Sequence, residues 1–418
     1  MSETVFIKVK NYGPLEVGTT DLEGGFLKVP KFTFLIGDQG TGKSTVAKLL
    51  STLSWTEKAL VRNTIDVKAL NYEVLADLLE NQNLPKEYIK PDTEIEYRGN
   101  AYTVSLTGEK VTVTTSNASD NYLCPQSIYY PSERNILSVM DNPWEVKGFP
   151  EMIVALATKY LNAQESGIRR KKEFFNGYKV DFDTLTKRSY VLDPEKETCI
   201  PLSSASSGLQ SVAPLLVVSD YLTKKIHSDL LDRMKNLGVG TRNRIIDALK
   251  RDELKEKLRS FFSSYIKSIF TPEDINEFST VAGRFVNSTL LQIVEEPEQN
   301  LYPTSQVLVA QRLIENTNSI GRLIVTTHSP YILSSINNYI FAYDLRDHIK
   351  KYPKGLSKNV LINYEDISAV KIEDGRIYSI LDDEARMIDV TEIDGCSSEI
   401  NELFDKLITI REKIDGSN

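Results

Sequence analysis

Nine consecutive residues, GDQGTGKST, constrain the fold of this chain more than any other segment. They fit the pattern G-x-x-x-x-G-K-[ST], follow the apolar stretch Phe32 to Ile36 and open a helical pattern at Ser44. Glycines let backbone N–H groups turn inward, and a helix start adds its positive end, so the run predicts a phosphate-binding loop. An accidental glycine-rich turn is the alternative, but the flanking strand and helix favour the loop.

The residues of this loop have distinct predicted roles. Lys43 is expected to reach the β- and γ-phosphates of a nucleoside triphosphate. The Ser44 hydroxyl is expected to be one Mg²⁺ ligand, because Mg²⁺ keeps few protein ligands beside substrate oxygens. The residues predicted to bind the nucleotide are Gly37, Asp38, Gln39, Gly40, Thr41, Gly42, Lys43, Ser44 and Thr45.

A second apolar run, LLQIVEEPEQNLYP, ends in the adjacent acids Glu295 and Glu296. Carboxylates at the mouth of a buried strand need a positive partner. Beside a phosphate loop, Glu295 is expected to hold the Mg²⁺ shell, in part through water, and Glu296 to orient or deprotonate a water molecule. Alone, the pattern describes a solvated strand end. Glu298 and Asn300 follow in a loop that faces either a second subunit or solvent.

Two further segments place polar residues at element ends. In LSSASSGLQS, the side chains of Ser206 and Ser207 and the backbone of Gly208 offer donors at a predicted helix N-terminus, which describes either an anion site or a simple capped loop. In VTTHSPYIL, His328 follows a predicted strand, where it would contact a γ-phosphate and position water. A lone histidine is ordinarily a surface or satisfied residue, so the order of the motifs must support this role.

The composition narrows the class of protein. Hydrophobic residues make up 41% and charged residues 26% of the 418, which is typical of a globular protein. The net charge of -8 argues against a chain-wide nucleic-acid coat, and three cysteines without a CxxC pair give no zinc or disulfide framework. The sequence shows neither a signal peptide nor an apolar run near the roughly 20 residues of a membrane span, so we expect a cytoplasmic protein.

Strand and helix patterns alternate around the motifs, which predicts an α/β P-loop fold. Three short alternating runs between residues 65 and 125, with the N-terminal strands, predict an antiparallel β lobe. Residues 220–285 predict a charged helical insertion. We expect a head domain over residues 1–345 and a small α/β extension over 346–418 that closes it and ends in a helix.

The order of four motifs resembles that of ABC-type ATPases: phosphate loop, Ser-Gly signature, Glu-Glu strand and strand-end histidine. EEPEQNLYP, TTHSPYIL and YYPSERN are similar to E-E-P-E-x-x-L-x-P, T-H-S-P-x-x-L and Y-x-P-[SA]-E-R of the RecF/OLD-like branch of AAA-labelled bacterial ATPases. The similarity covers residues 3–345 at least. It implies an ATP hydrolase with ATP and Mg²⁺ as cofactors, in which two heads enclose the nucleotide.

The resemblance also implies a role for each matching residue. Glu295 would be the Walker B acid, and the catalytic set would be Glu296 as base, His328 as switch histidine and Lys43. The signature, which acts on ATP held by the other subunit, would comprise Ser206, Ser207, Gly208 and Gln210. Arg134, and with it Gln126, would lie near the loop that senses nucleotide. The adenine contact stays open, with Tyr12 as a candidate.

Within this family, the long block after Gly208 disfavours a transporter engine, and the short strands before residue 200 disfavour an SMC-like coiled coil. The C-terminal residues show no glutamate-then-DxD order, so we expect no nuclease domain. A stand-alone ATPase of this type resembles the ATPase subunits of anti-phage systems such as PARIS (AriA) or Septu. Those subunits work with a separate effector, often a nuclease.

Two basic runs leave nucleic-acid binding open. Residues 233–267 hold ten Lys/Arg and four acids, and RRKK occupies residues 169–172. Such clusters bind phosphate backbones, but they also describe a salt-bridged helical face or a docking surface for a partner. Three functions therefore remain: an ATPase that controls an effector in phage defence, a RecF-like DNA clamp for repair or recombination, and a non-enzymatic scaffold that ATP holds together.

Overall fold

A six-stranded sheet forms the centre of the molecule. The computed structural model describes residues 4–116, 122–140, 148–167, 173–193, 195–228, 238–264, 271–353 and 355–391. In spatial order the strands are β15 (Arg376–Ser379), β14 (Ile367–Glu373), β3 (Phe32–Ile36), β13 (Gly321–Thr327), β12 (Thr289–Glu295) and β7 (Pro125–Tyr130). All pairs are parallel except the β15–β14 pair. The predicted phosphate loop follows β3, an inner strand of this sheet.

Apolar sequence runs explain why these strands are central. β3, with the sequence FTFLI, is buried along its whole length, and β12 is buried from Leu290 to Glu295. Strands covered on both faces carry continuous rather than alternating apolar residues, as these do. The helices that cover the sheet or border it are α1 (Lys43–Val61), α2 (Tyr72–Glu80), α3 (Ile136–Val139), α4 (Glu151–Glu165) and α5 (Ser207–Ile226), followed after the insertion by α9 (Pro303–Ile320) and α10 (Pro330–Asp344).

The predicted antiparallel β lobe is confirmed. Its five strands have the order β2-β1-β4-β5-β6, with bounds β1 (Val5–Tyr12), β2 (Leu27–Val29), β4 (Ile89–Arg98), β5 (Tyr102–Thr107) and β6 (Lys110–Thr115). All four pairs are antiparallel. The buried carboxylate of Glu57 joins α1 to this lobe, because it accepts hydrogen bonds from Tyr97 Oη at 3.0 Å and from the Ala101 N–H at 2.6 Å.

A smaller antiparallel sheet precedes the Ser-Gly run. Its order is β11-β10-β9-β8, with bounds β8 (Glu173–Phe175), β9 (Tyr178–Asp183), β10 (Arg188–Asp193) and β11 (Thr198–Pro201). β9 and β10 form an antiparallel hairpin. The RRKK run at residues 169–172 lies outside the described residues.

In the described part of the predicted insertion, the helices are α6 (Val239–Ala248), α7 (Asp252–Ser264) and α8 (Pro272–Ala282). They enclose an apolar cluster of their own, distinct from the main core, that includes Ile245, Leu254, Leu258 and Phe278. The insertion therefore stabilises itself by local packing. Of the basic residues counted in the sequence, Arg233, Lys235 and Lys267 lie outside the described residues.

The chain after residue 345 adds strands to the central sheet. β14 pairs in parallel with β3, from Ile367 opposite Phe32 to Lys371 opposite Ile36. β15 continues the sheet, and β16 (Leu381–Asp382) pairs with β17 (Met387–Ile388) beside α10. The described part of the extension thus borders the phosphate loop. The predicted C-terminal helix, SSEINELFDKLITIREKI, lies outside the described residues.

Candidate functional site

The candidate site lies at the carboxyl edge of the central sheet. β3, β13 and β12 are neighbours in parallel, with Thr327 opposite Ile36 and Thr326 opposite Glu295. The phosphate loop, His328 and Glu296 each follow one of these strand ends. Parallel pairing therefore brings three motifs that are far apart in sequence to one edge, where open α/β sheets bind their ligands.

The phosphate loop has the backbone that its glycines predict. Gly37, Gly40 and Gly42 have φ values of 143°, 80° and 110°, a range that side-chain-bearing residues rarely adopt. A Cβ at Gly37 would lie 2.2 Å from the Ile372 carbonyl oxygen of β14, and one at Gly42 would lie 2.9 Å from Leu15 Cδ2. A Cβ at Gly40 would meet open space, so the middle of the loop is accessible to a ligand.

Lys43 is buried and its ammonium group folds over the loop. Nζ donates to the carbonyl oxygens of Gly37 at 2.8 Å and Asp38 at 2.6 Å. Burial lowers the pKa of Lys43, while the carboxylates of Glu296, Asp38, Glu298 and Glu295 oppose that shift, in decreasing order. The carboxylates of Glu295 and Glu296 therefore act electrostatically on the phosphate-loop lysine.

The start of α1 is suited to an anion. Gly42 precedes the helix and supplies no side-chain cap for its first N–H groups. Ser44 is exposed and Thr45 is buried, while the Thr41 hydroxyl donates to the Asp38 carbonyl at 2.9 Å and supports the turn. Asp38, Gln39 and Gly40 are exposed at the tip. Uncapped donors, a lysine and a free hydroxyl are the groups that a magnesium–triphosphate requires.

Glu295 is buried and its two oxygens are already held. Oε1 accepts from Tyr129 Oη at 2.7 Å and Oε2 accepts from the Ser132 N–H at 3.2 Å. A carboxylate has about four lone-pair positions, so capacity for a metal-bound water remains. Tyr129 belongs to the YYPSERN run, which the sequence singled out without giving the tyrosine a role.

Glu296 is half-buried and lies against the histidine. His328 Nε2 lies 3.3 Å from Glu296 Oε1, close enough for an ion pair with imidazolium although not aligned as a hydrogen bond. Interaction with His328 lowers the pKa of Glu296, burial opposes the shift, and Lys43 and Arg134 add to it. Glu296 has a φ of 43°, unusual for a residue with a side chain, and such backbone strain is common at functional sites.

A third carboxylate, Glu298, joins the glutamate loop to the histidine loop. Its Oε1 accepts from Thr327 Oγ1 at 2.8 Å and from the His328 N–H at 2.7 Å. Its Oε2 has no hydrogen-bond partner among the described residues, and burial raises the pKa of this carboxyl. Glu298 is half-buried rather than an exposed turn residue, whereas Asn300 is exposed. Contact of this loop with a second subunit stays a prediction. The E-E-P-E spacing was the signal available in the sequence.

Arg134 is fully buried, with 0% of its surface exposed, so its side chain does not present itself to a nucleotide as the sequence implied. The guanidinium instead donates to backbone carbonyls, including those of Glu295 at 2.6 Å and Glu296 at 2.8 Å. Burial lowers its pKa to about 10, and the carboxylates of Glu298, Glu295 and Glu296 oppose that shift. Arg134 therefore remains charged at neutral pH.

The Ser-Gly run forms the N-terminus of α5. Ser206 precedes the helix, Ser207 opens it, and both are exposed. Gly208 packs on the loop after the glutamates, because a Cβ there would lie 2.8 Å from the Asn300 carbonyl oxygen. Gln210 donates its amide to the Ser203 carbonyl at 2.9 Å and so holds the preceding turn. The exposed serines leave this helix start open to a second molecule.

Two expectations for nucleotide contacts are wrong. Gln126 pairs with Leu290 in the β7–β12 ladder, at the amino end of both strands, whereas the site lies at their carboxyl ends. Its amide accepts from Asn287. Tyr12 is fully buried, and its ring packs edge-on against Tyr88, so it does not present a face to adenine.

The basic block is largely neutralised within the insertion. Arg251 pairs with Asp274 and Glu277, Lys257 pairs with Asp274, and shorter-range pairs hold Lys255 and Arg259. Arg242 lies over the Phe262 ring, and Arg244 donates to the Arg62 carbonyl. The acids on α8 lie outside the counted window, which is why the sequence overstated the local charge. This arrangement favours the salt-bridged face among the alternatives.

Two structural features are absent from the described part of the chain. No helix there combines the length and apolarity that a bilayer span needs. No three His, Cys, Asp or Glu side chains there are arranged to hold a metal ion by themselves. A Mg²⁺ ion at Ser44 and Glu295 would consequently depend on phosphate oxygens and water for its other ligands.

Comparison with known proteins gives distant similarities. No protein-family model matches the chain, and no curated protein matches it. It is similar to the SMC head domain from Thermotoga maritima, with 10% identity and a TM-score of 0.38 over 91% of this chain and 98% of that one. It is also similar to a SmcHead bound to the C-winged helix domain of ScpA, with 12% identity and a TM-score of 0.39 over 92% of this chain and 98% of that one. A third similarity is to a nucleotide-free ATP-binding cassette from an ABC transporter, with 10% identity and a TM-score of 0.28 over 91% of this chain and 90% of that one. Because similarities of this size cannot assign residues, we assign roles from the site itself.

Proposed function

We propose that this chain is an ABC-type ATPase that binds and hydrolyses ATP at the carboxyl edge of its central sheet. One observation carries the proposal: parallel pairing of β3, β13 and β12 brings the phosphate loop with Lys43, His328 and Glu296 to one edge of the sheet. A phosphate-binding lysine and an ionised glutamate thus share one site. This pairing is what transfer of a γ-phosphoryl group to water requires.

Each residue then has a role that its position supports. Lys43 and the N–H groups of the loop bind phosphate oxygens, and the exposed Ser44 hydroxyl with Glu295 holds the metal shell. Mg²⁺, when bound, supplies neutralisation of the developing phosphoryl charge. Glu296 orients the attacking water and accepts its proton, and its lowered pKa keeps it ionised for that task. His328 holds the Glu296 carboxylate from the other side.

Self-association completes the proposed site. Ser206 and Ser207 are exposed at the positive end of a 20-residue helix, which favours an anion from another molecule. We infer a dimer in which this helix start contacts the ATP bound by the partner head. A separate effector, such as a nuclease in phage defence, is the partner class that the resemblance to stand-alone ATPase subunits supports.

The ion pairs of the insertion weigh against the DNA-clamp alternative. Phosphate backbones bind cations that can exchange counterions, whereas Arg251 and Lys257 already have buried or half-buried acid partners. Duplex DNA should therefore leave the rate of ATP hydrolysis unchanged. Stimulation by DNA that disappears with added salt would instead identify a clamp.

The test of the proposed function is the rate of phosphate release by wild type and by Glu296→Gln. We expect hydrolysis by wild type and a loss on the order of 100-fold or more in the variant, because the group that activates water is removed. ATP binding should persist. The matched control is Glu315→Gln, which alters a glutamate on α9 that pairs with Arg312. Equal turnover in wild type and Glu296→Gln would refute the assigned base, and no turnover in wild type would support the scaffold.

A further inference from the structure

We propose that Arg134 is a positioning residue that couples α5, the helix predicted to contact the partner's ATP, to the catalytic Glu296 of the same head. The inference rests on the proposed function. As a consequence, closure of the partner's nucleotide site on α5 would set the geometry of Glu296 in the nucleotide site of this head. Arg134 was implicated from the sequence as a residue near the nucleotide, and its contacts indicate this different role.

The guanidinium of Arg134 joins three backbone segments. Nη1 donates to Glu295 O at 2.6 Å and to Pro131 O at 3.1 Å, and Nη2 donates to Glu296 O at 2.8 Å. Nε donates to Ser211 O of α5 at 3.2 Å. All four acceptors are main-chain carbonyls, and the Arg134 side chain that contacts them is fully buried. A planar guanidinium presents its donors in a rigid fork, so relative movement of these segments must break or bend a hydrogen bond.

Proline within α5 provides a second connection to the same turn. Pro214 has no N–H, so the carbonyl of Gln210, four residues earlier, lacks its usual helical donor. The Ser138 hydroxyl donates to that carbonyl at 2.7 Å. Ser138 follows Arg134 by one helical turn, so two side chains from residues 134–138 hold the first turns of α5.

Glu296 is sensitive to such support because of its backbone. Its φ of 43° is costly for a residue with a side chain, and conformations of this kind persist only where surrounding contacts fix them. Four hydrogen bonds hold the backbone polar groups of Glu296. Its N–H donates to Thr326 O at 2.9 Å and to Thr326 Oγ1 at 3.3 Å, and its carbonyl accepts from Arg134 Nη2 at 2.8 Å and from the Gln299 N–H at 3.0 Å. A shift at the carbonyl would rotate the carboxylate away from His328 and the water it orients.

The direction of coupling follows from the two ends of the connection. Ser206 and Ser207 face outward, toward the site of a second head, while Ser211 and Gln210 face Arg134 and Ser138. Glu296 serves the phosphate loop of its own head. Binding at the partner's nucleotide would therefore align the base of this head, which predicts positive cooperativity in hydrolysis.

The experiment compares ATP dependence of turnover in the full chain, with ATP affinity measured separately by a fluorescent ATP analogue. Wild type should show a Hill coefficient above 1. Arg134→Lys keeps the charge but not the fork, and we expect turnover to fall on the order of 100-fold with a Hill coefficient near 1 and unchanged affinity. Ser138→Ala is the milder variant, with the Hill coefficient lowered and the fold intact.

Arg322→Lys is the matched control, because Arg322 belongs to β13 but lies at the opposite, amino end of the sheet. We expect it to retain the wild-type Hill coefficient. The coupling would be overturned if Arg134→Lys and Ser138→Ala both kept the wild-type Hill coefficient. It would also be overturned if Arg134→Lys bound the fluorescent ATP analogue more weakly than wild type. A wild type that hydrolyses ATP with a Hill coefficient of 1 would also overturn it and leave the proposed ATPase standing. Absence of hydrolysis in wild type would refute the proposed function itself.

Discussion

Three glutamates within four positions occupy three different environments. Glu295 is buried and accepts from Tyr129 and Ser132, whereas Glu296 is half-buried with its pKa lowered by His328. Glu298 is held by the His328 loop, with its pKa raised by burial. Carboxyl groups whose environments shift their pKa values apart have separate chemical tasks. Glu296 is half-exposed and its pKa is lowered, which suits a carboxylate that orients water.

Tyr129→Phe tests the support of Glu295. The change removes one hydrogen bond to Oε1 without altering the ring, so the carboxylate loses part of its orientation. We expect the Mg²⁺ concentration for half-maximal ATP hydrolysis to rise about fivefold, the equivalent of roughly 1 kcal/mol for one hydrogen bond. Tyr130→Phe is the control, since its hydroxyl donates to Gln292 instead. Identical Mg²⁺ dependence in both variants would contradict the role of Tyr129.

At the scale of elements, close backbone contact joins α5 to the loop after Glu296. Gly208→Ala would place a Cβ 2.8 Å from Asn300 O and 3.1 Å from Leu301 Cδ2, so the helix start must move. We expect the free energy of unfolding to fall by about 1–3 kcal/mol, as for overpacked cores. Turnover should also fall, and ATP affinity should not change.

The control for that variant is Gly240→Ala in α6, where the added methyl meets nothing within 4 Å. It should be neutral or slightly stabilising, because alanine favours helix. Chemical denaturation and phosphate release measure the two effects. A Gly208→Ala protein with the stability and turnover of wild type would show that this contact does not position α5.

The stability of the junction between α1 and the antiparallel lobe should depend on pH through Glu57. Burial raises its pKa above the ordinary 4.5, opposed by hydrogen bonds from Ala101 and Tyr97. The folded state thus binds a proton more readily than the unfolded state. Its stabilisation is fully present below pH 4.5 and is lost as pH rises through the raised pKa.

Glu57→Gln should therefore gain stability relative to wild type, by a difference that grows as pH rises above about 4.5, because the neutral amide avoids burying a charge. The Gln oxygen can still accept from the Ala101 N–H, and the Tyr97 hydroxyl can accept from the amide. Denaturation across that pH range measures the difference, with Glu315→Gln as control. A constant difference across the range would mean that the pKa of Glu57 in the folded protein is not raised above its unfolded value.

At the scale of the whole molecule, sequence and structure agree where the signal is local. The loop from Gly37 to Thr45 and the acids of β12 could be placed because glycine spacing and an apolar strand act over a few residues. The convergence of Lys43 with Glu296 also followed, since parallel strands end at one edge. The antiparallel lobe followed from its alternating pattern.

Features that depend on distant partners were missed or placed incorrectly. Arg134 could not be recognised as buried, because its acceptors are backbone carbonyls that carry no sequence signal. Gln126 was expected near the loop that senses nucleotide, but it lies at the amino end of β7, opposite Leu290 of β12. The charge of Arg251 and Lys257 was overstated because their partner Asp274 lies on another helix.

If two heads close on ATP, the molecular mass of the particle in solution should depend on nucleotide. Glu296→Gln with ATP and Mg²⁺ should convert from monomer to dimer by light scattering, because ATP that is bound but not hydrolysed keeps the heads together. Lys43→Ala combined with Glu296→Gln should stay monomeric, since the loop loses its main phosphate contact. A double variant that dimerises equally with ATP would place the nucleotide-dependent interface elsewhere.

The most direct test of the central claim is a crystal structure of Glu296→Gln with ATP and Mg²⁺. We expect the β- and γ-phosphates at Lys43 Nζ, the metal at the Ser44 hydroxyl with Glu295 in its shell, and the residue 296 side chain facing the γ-phosphate. Triphosphate bound away from Lys43, or a metal remote from the residues 295–296, would contradict the site.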